Sequence, residues 1–228
     1  MNIETNYHNA FTTTNICRWT KNLDPVVNKK SMKISKNTPK DKYHYSSEQN
    51  QLFWYFLYMK NDGSNFNFES GSQFKMENDE KIKIIEQVRL EKDKAKSFKI
   101  SVKRFENDLL YEQHISMDIL KSLCLLFDIY MIVIYKKLIM VVNPKDDVIP
   151  YILERGQSDY KLRTDITHDF VKDIMTKNYF GVTSLVKPFN SCSSYKLNEL
   201  QNIVDTLGLP INQKDRKIDL YNKLVDYI

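Results

Sequence analysis

The chain has 228 residues, 42% hydrophobic and 28% charged, enough for one sizeable domain with a small appendix or long arms. The formal net charge of +5 is modest, and five scattered glycines exclude the glycine-rich loops with which nucleotide-binding enzymes wrap phosphates. Cys17, Cys124 and Cys192 are odd in number and far apart, which excludes a disulfide framework or a cysteine zinc site and fits a reducing compartment.

Residues 1–45 read as a basic, extended or partly disordered arm, rich in Thr, Asn and Lys and without sustained periodicity. Its start, "MNIETNYHNAFTTTN", is polar and has no signal-peptide character. Lys21, Lys29, Lys30, Lys33, Lys36, Lys40 and Lys42 face only Asp24 and Asp41, so this segment carries the whole positive excess. A basic arm on a neutral body points to an anionic partner, the alternative being a solvated Lys-rich tail. Tyr43 and Tyr45 beside Lys40 and Lys42 form the one basic–aromatic cluster suited to stacking bases, or else latch the arm to the core.

The core is read over residues 46–190. Ser46 and Gln49 have the spacing of a capping box ahead of "QLFWYFLYMK". That run has no polar face and predicts a helix buried all round, stopped at Asn61-Asp62-Gly63. "FNFESGSQFKM" reads as loop, and "NDEKIKIIEQVRLEKDKAKS" as a helix with Ile82, Ile85 and Val88 inward and Glu77, Asp79 and Glu80 at its start. "VKRFENDLL" predicts a short helix on Val102, Phe105 and Leu109, and Ser116 caps the next, "MDILKSLCLLF". "YMIVIYKKLIMVV" is the clearest β signal, a hairpin turning at Lys136-Lys137 without the usual Gly or Asn. Short strands and a helix from about Thr167 to Asn178 follow, then "VKPFNSCSS" as a linker. Neither apolar run is long enough to cross a bilayer. His8, His44, His114 and His168 have no metal-ligand spacing, so no metal or cofactor is expected.

Residues 191–228 hold two leucine-striped segments, Leu197, Leu200, Ile203, Val204, Leu207 and Leu220, Tyr221, Leu224, Val225, Ile228. Gly208 and Pro210 stop the first, and Asp215 is placed to cap the second. "LNELQNIVDTLGLP" and "KIDLYNKLVDYI" resemble the two helices of the SAP motif, a helix–extended-loop–helix element that binds DNA and sometimes RNA. The resemblance implies phosphate contacts from Lys214, Arg216 and Lys217, with Lys223 further along the second helix. It departs from the motif in a loop longer by about two residues and in Asp215 near the family's glycine. Acids and bases balance over residues 195–228, so the tail alone predicts weak binding.

The order of elements in residues 46–150 also resembles papain-like cysteine peptidases of the ovarian-tumour type. Tyr55 stands where their nucleophilic Cys would be, and a phenol cannot replace a His-activated thiolate. His168 is the corresponding candidate for a relic base. Finally, "QLFWYFLYMKNDG", "EKIKIIEQVR", "DIYMIVIY" and the tail from Tyr195 resemble SAP-containing proteins of large cytoplasmic DNA viruses, which implies a cytoplasmic factory or virion setting. Together these readings predict an α-rich α+β core with a central buried helix and a small sheet or hairpin, followed by a helix–loop–helix tail. The expected function is a non-enzymatic viral protein associated with DNA or RNA and with other viral proteins, without a membrane. The alternatives are an assembly protein using arm and tail, or a catalytically dead peptidase-like scaffold.

Overall fold

A computed structural model describes residues 43–44, 49–63, 73–157, 159–177, 179–212 and 214–228. Its centre is the all-apolar run. Helix α1 (Gln51–Lys60) buries every residue from Leu52 to Leu57 as well as Met59. A helix with no polar face is stable only when surrounded, and here the α+β fold is built around it. It begins after Asn50, not after the expected Ser46/Gln49 box, of which Ser46 lies outside the described residues. Asn50 does not cap the helix. Its carboxamide instead accepts the Ile115 N–H at 3.0 Å and donates to Glu77 at 2.8 Å, tying three segments together. The exit follows the sequence: Asp62 and Gly63 take φ of 51° and 78°.

Helix α2 (Gln73–Leu90) starts earlier than expected, so "QFKM" is helical and Glu77, Asp79 and Glu80 lie in its second turn. Its inner stripe is Lys81, Ile84, Ile85 and Val88, while Ile82 faces out at 49% exposure. A lysine can take the inner position because Glu77 lies 2.8 Å from its ammonium, which also sits over the Phe53 ring at 5.4 Å. Helices α3 (Lys92–Ser97), α4 (Val102–Tyr111) and α5 (Met117–Leu126) complete this layer. Phe105 and Leu109 are buried, and the Ser116 hydroxyl accepts the Ile119 N–H at 3.3 Å, as the sequence indicated.

The sheet has the order β1-β5-β4-β2-β3-β6. Strands β2 (Met131–Tyr135) and β3 (Leu138–Val142) form the expected hairpin, with Tyr135 opposite Leu138. Lys136 adopts the left-handed conformation that the turn requires, at φ 52°. Strand β4 (Tyr151–Arg155) pairs parallel to β2, and β5 (Tyr160–Arg163) antiparallel to β4. Two-residue strands close the edges: β6 (Phe180–Gly181) beside β3, and β1 (Tyr43–His44) beside β5. Strand β1 thus draws two residues of the predicted arm into the sheet.

Alternation gives the sheet two buried faces. Met131, Val133, Leu138, Met140, Leu153 and Leu162 join the cluster around α1. Ile132, Ile139, Val141 and Ile152 face the other way, against Ile174, Phe170 and Val171 of α6 (His168–Thr176). Thr167 caps α6 through the Phe170 N–H at 3.2 Å. Beyond β6 the predicted linker is packed, with Val182, Leu185 and Phe189 buried ahead of a short 3-10 turn at Cys192–Ser194. Helices α7 (Leu197–Thr206) and α8 (Lys217–Asp226) end the fold. Their buried Leu200, Ile203, Val204, Leu220 and Leu224 belong to the same apolar cluster as α1.

Candidate nucleic-acid interface

The tail is shaped first by how α7 stops. Gly208 lies at φ 72°, its N–H bonds Asp205 O at 2.8 Å, and the Leu209 N–H reaches back to Val204 O at 2.9 Å. This is a Schellman ending, and it needs a residue that tolerates left-handed backbone. The chain then runs through Pro210 to Arg216 before α8 begins.

Both helices point the same way. Their C-terminal ends meet one feature, the Lys136-Lys137 turn of the β2–β3 hairpin. Lys137 Nζ bonds Thr206 O at the end of α7 at 3.3 Å, and Lys136 Nζ bonds Tyr227 O at the end of α8. The Lys137 N–H donates to the Tyr227 hydroxyl at 3.0 Å, and the Tyr135 hydroxyl to Ile228 O at 2.9 Å. Two ammonium groups therefore sit where two helix dipoles leave their negative ends. The linking loop must return the whole length of α7, roughly 15 Å for ten residues. An up-and-down hairpin would have brought opposite ends together.

That loop is stapled by Asp215. Its carboxylate accepts the Asn212 N–H at 2.8 Å and pairs with Lys223 at 2.5 Å, while Lys223 also donates to Pro210 O at 2.7 Å. Lys223 and the backbone N–H of Asn212 hold the Asp215 carboxyl below the usual aspartate range. Asp215 is thus not the cap of α8. The N-cap is Arg216, whose N–H is taken by Asp219 at 2.9 Å, a bond that lowers the Asp219 carboxyl as well.

The four tail cations expected to meet phosphates divide accordingly. Lys214 and Arg216 are exposed and Lys217 is half-exposed, all at the end of the loop and the start of α8. Arg216 carries a surface pair with Asp219 at 3.3 Å. Lys223 is a strut for the loop, and its ammonium faces Asp215 and Pro210. Lys29, Lys30, Lys33, Lys36, Lys40 and Lys42 lie outside the described residues, as does Tyr45. Sequence reasoning missed the role of Lys136 and Lys137. Their only signal was a basic pair in a turn that lacks Gly or Asn.

The peptidase comparison finds no site. The Tyr55 hydroxyl is fully buried and donates to Tyr160 O at 2.7 Å. His168 is exposed at the start of α6, which packs on the opposite sheet face from α1. Cys124 is buried beside Met131, and burial pushes its thiol well up, away from the thiolate form. Among the described residues no group of three His, Cys, Asp or Glu side chains is placed to hold a metal ion. Among them, too, no helix is long and apolar enough to cross a membrane. Compared with family models, with curated proteins and with solved structures, the chain has no match.

Proposed function

We propose that the chain is a non-enzymatic nucleic-acid-associated protein of a large cytoplasmic DNA virus, acting in a factory, transcription assembly or virion. The observation that supports it best is the placement of Lys214, Arg216 and Lys217 together at the loop end and first turn of α8. A parallel helix–loop–helix fixes that cluster rigidly against the core, and the first backbone N–H groups of α8 lie beside it. Basic side chains at such a helix start make phosphate contacts that position a protein without reading sequence. Asp219 offsets part of this charge, so the tail contact is a weak one. The lysines between residues 21 and 45 supply the second contact, and two tethered weak contacts raise avidity without a strong site in either.

The test is binding of DNA and RNA to the full chain as a function of salt. The Lys214/Arg216/Lys217→Ala variant should lower the salt slope by about one for each phosphate it no longer neutralises. Replacing Lys29, Lys30, Lys33, Lys36, Lys40 and Lys42 by Gln should weaken binding uniformly across sequences. Absence of binding by the full chain at low salt removes the proposal.

A second reading has its own support. Ile211, Ile218 and Val225 stand 41%, 47% and 49% exposed on the same module. An apolar surface beside a few charges suits a protein partner, so the tail would then serve assembly. Retention of partner capture by the triple variant, with loss in Ile218→Asp, would favour that role.

A further inference from the structure

A cleft of about 340 Å³ opens on the α6 side of the sheet, at the end where β2, β4 and β5 meet the C-terminus of α6. Four cationic side chains line it: Lys136, Arg155, Arg163 and Lys177. Glu154 is the one carboxylate in the lining. Arg163 pairs with Glu154 at 2.9 Å and with Asp165 at 2.6 Å, and Lys177 pairs with Asp173 at 2.5 Å. Those charges offset one another.

The other two cations do not follow that pattern. Among the described residues neither Arg155 nor Lys136 has a carboxylate partner. The Arg155 guanidinium lies over the Tyr135 ring at 4.8 Å. Lys136 lies between the rings of Tyr135 and Tyr227, at 5.1 and 4.8 Å. A ladder of Arg155, Tyr135, Lys136 and Tyr227 therefore runs from the cleft to the end of α8. Stacking fixes the guanidinium plane while leaving its edge donors available, which prepares a fork for an oxyanion. The remaining walls are apolar or aromatic, from Ile134, Ile174, Phe170 and Tyr179. Low-dielectric walls strengthen the field of the two uncompensated charges.

We propose that this cleft binds a nucleotide, with its phosphate on Arg155 and Lys136 and its base against the apolar wall. The volume lies at the small end of ligand pockets, which suits one nucleotide unit. That unit is either free or part of a single strand entering the cleft. The site is separate from Lys214, Arg216 and Lys217, which stand at the other end of α8, roughly 15 Å away along a ten-residue helix.

The experiment titrates full-length protein with adenosine 5′-monophosphate, adenosine, inorganic phosphate and a twelve-residue oligothymidylate. The resonances of Ile134 and Ile174 are followed by NMR, with the folded state checked by circular dichroism. The monophosphate should shift both methyl groups and adenosine should not. Arg155→Gln should weaken the monophosphate about tenfold, the loss of one charge-assisted hydrogen bond. Arg155→Lys should recover part of that, and Lys214/Arg216/Lys217→Ala should leave it unchanged. Competition by the oligonucleotide, also weakened by Arg155→Gln, assigns the phosphate to a strand; monophosphate binding without competition assigns it to a free nucleotide. The proposal is overturned if no phosphate probe moves these methyl groups at millimolar concentration, or if Arg155→Gln binds the monophosphate as well as the parent. The monophosphate arm reads the cleft alone, so it can fail while nucleic-acid binding by arm and tail survives, and the reverse.

Discussion

Helices α1 and α8 have the same length, ten residues each, and opposite occupations. Seven residues of α1 are buried, and its only polar ends are Gln51 and Lys60. In α8 only Leu220 and Leu224 are buried, while charged residues and exposed Ile218 and Val225 cover the rest. One helix is held by apolar contact on every side. The other is held by a narrow stripe and by polar bonds at its two ends, leaving most of its surface for a partner. Stability is concentrated in the first and accessible chemistry in the second.

The largest effect expected from this contrast is in α1. Phe53→Ala removes a fully buried ring that touches Trp54 and Phe56 at 6.3 Å and carries Lys81 on its face. It should cost about 3–5 kcal/mol in denaturant unfolding, and Lys81 would lose the ring that helps to hold its charge. Leu224→Ala in α8 should cost about 2–5 kcal/mol, toward the lower end because neighbouring surface can relax into the gap. The form of the transition matters as much as its size. With Leu224 in the same apolar cluster as α1, both variants should shift one common transition. A separate early transition in Leu224→Ala would mean that the tail unfolds alone.

A smaller change tests the loop end of the tail. Gly208→Ala forces a Cβ into left-handed backbone and brings it 2.9 Å from Lys137 Nζ. The lysine end can move, so the cost is mainly conformational, about 1–2 kcal/mol. Displacing Lys137 also withdraws it from Thr206 O, so amide exchange should quicken at the last turn of α7 and stay unchanged in α1.

How much of this contrast could be read from sequence differs by element. The apolar run of α1, the stripes of α4, α5, α7 and α8, and the β2–β3 hairpin each carry their pattern within a few residues, and all were legible. The phase of α2 was not, because Lys81 faces inward only through Glu77 and the distant Phe53 ring. Strands β1 and β6 are two residues long, too short for alternation to show. The candidate site was half legible. Lys214, Arg216 and Lys217 form a cluster in sequence, and it survives in space. The strut role of Lys223, the docking of Lys136 and Lys137, and the cleft around Arg155 depend on contacts across eight to ninety-one residues. Periodicity carries no information at that range.

The smallest expected effect comes from acid, and it separates the two helices by chemistry instead of packing. Helix α1 contains no carboxylate, whereas the α8 end of the loop is held by Asp215 and Asp219. Both carboxyls lie below the ordinary aspartate value of about 3.9, Asp215 chiefly through Lys223 and Asp219 chiefly through the Arg216 N–H. A depressed carboxyl adds stability that is complete above its unfolded value and is lost as pH falls through the folded one. Stability of the tail should therefore be flat from pH 8 to about 5 on account of these groups, and decline only below about 4. NMR titration of the Asp215 and Asp219 carboxyl carbons should give midpoints under the ordinary value. Asp215→Asn should keep the Asn212 N–H bond through its amide oxygen but release Lys223 from an ion pair. Lys223 would then stand as a further cation beside Lys214 and Lys217, and nucleic-acid binding at low salt should tighten modestly. A midpoint for Asp215 at or above the ordinary value would mean that Lys223 is already free, and the division of the tail cations into strut and contact would not hold.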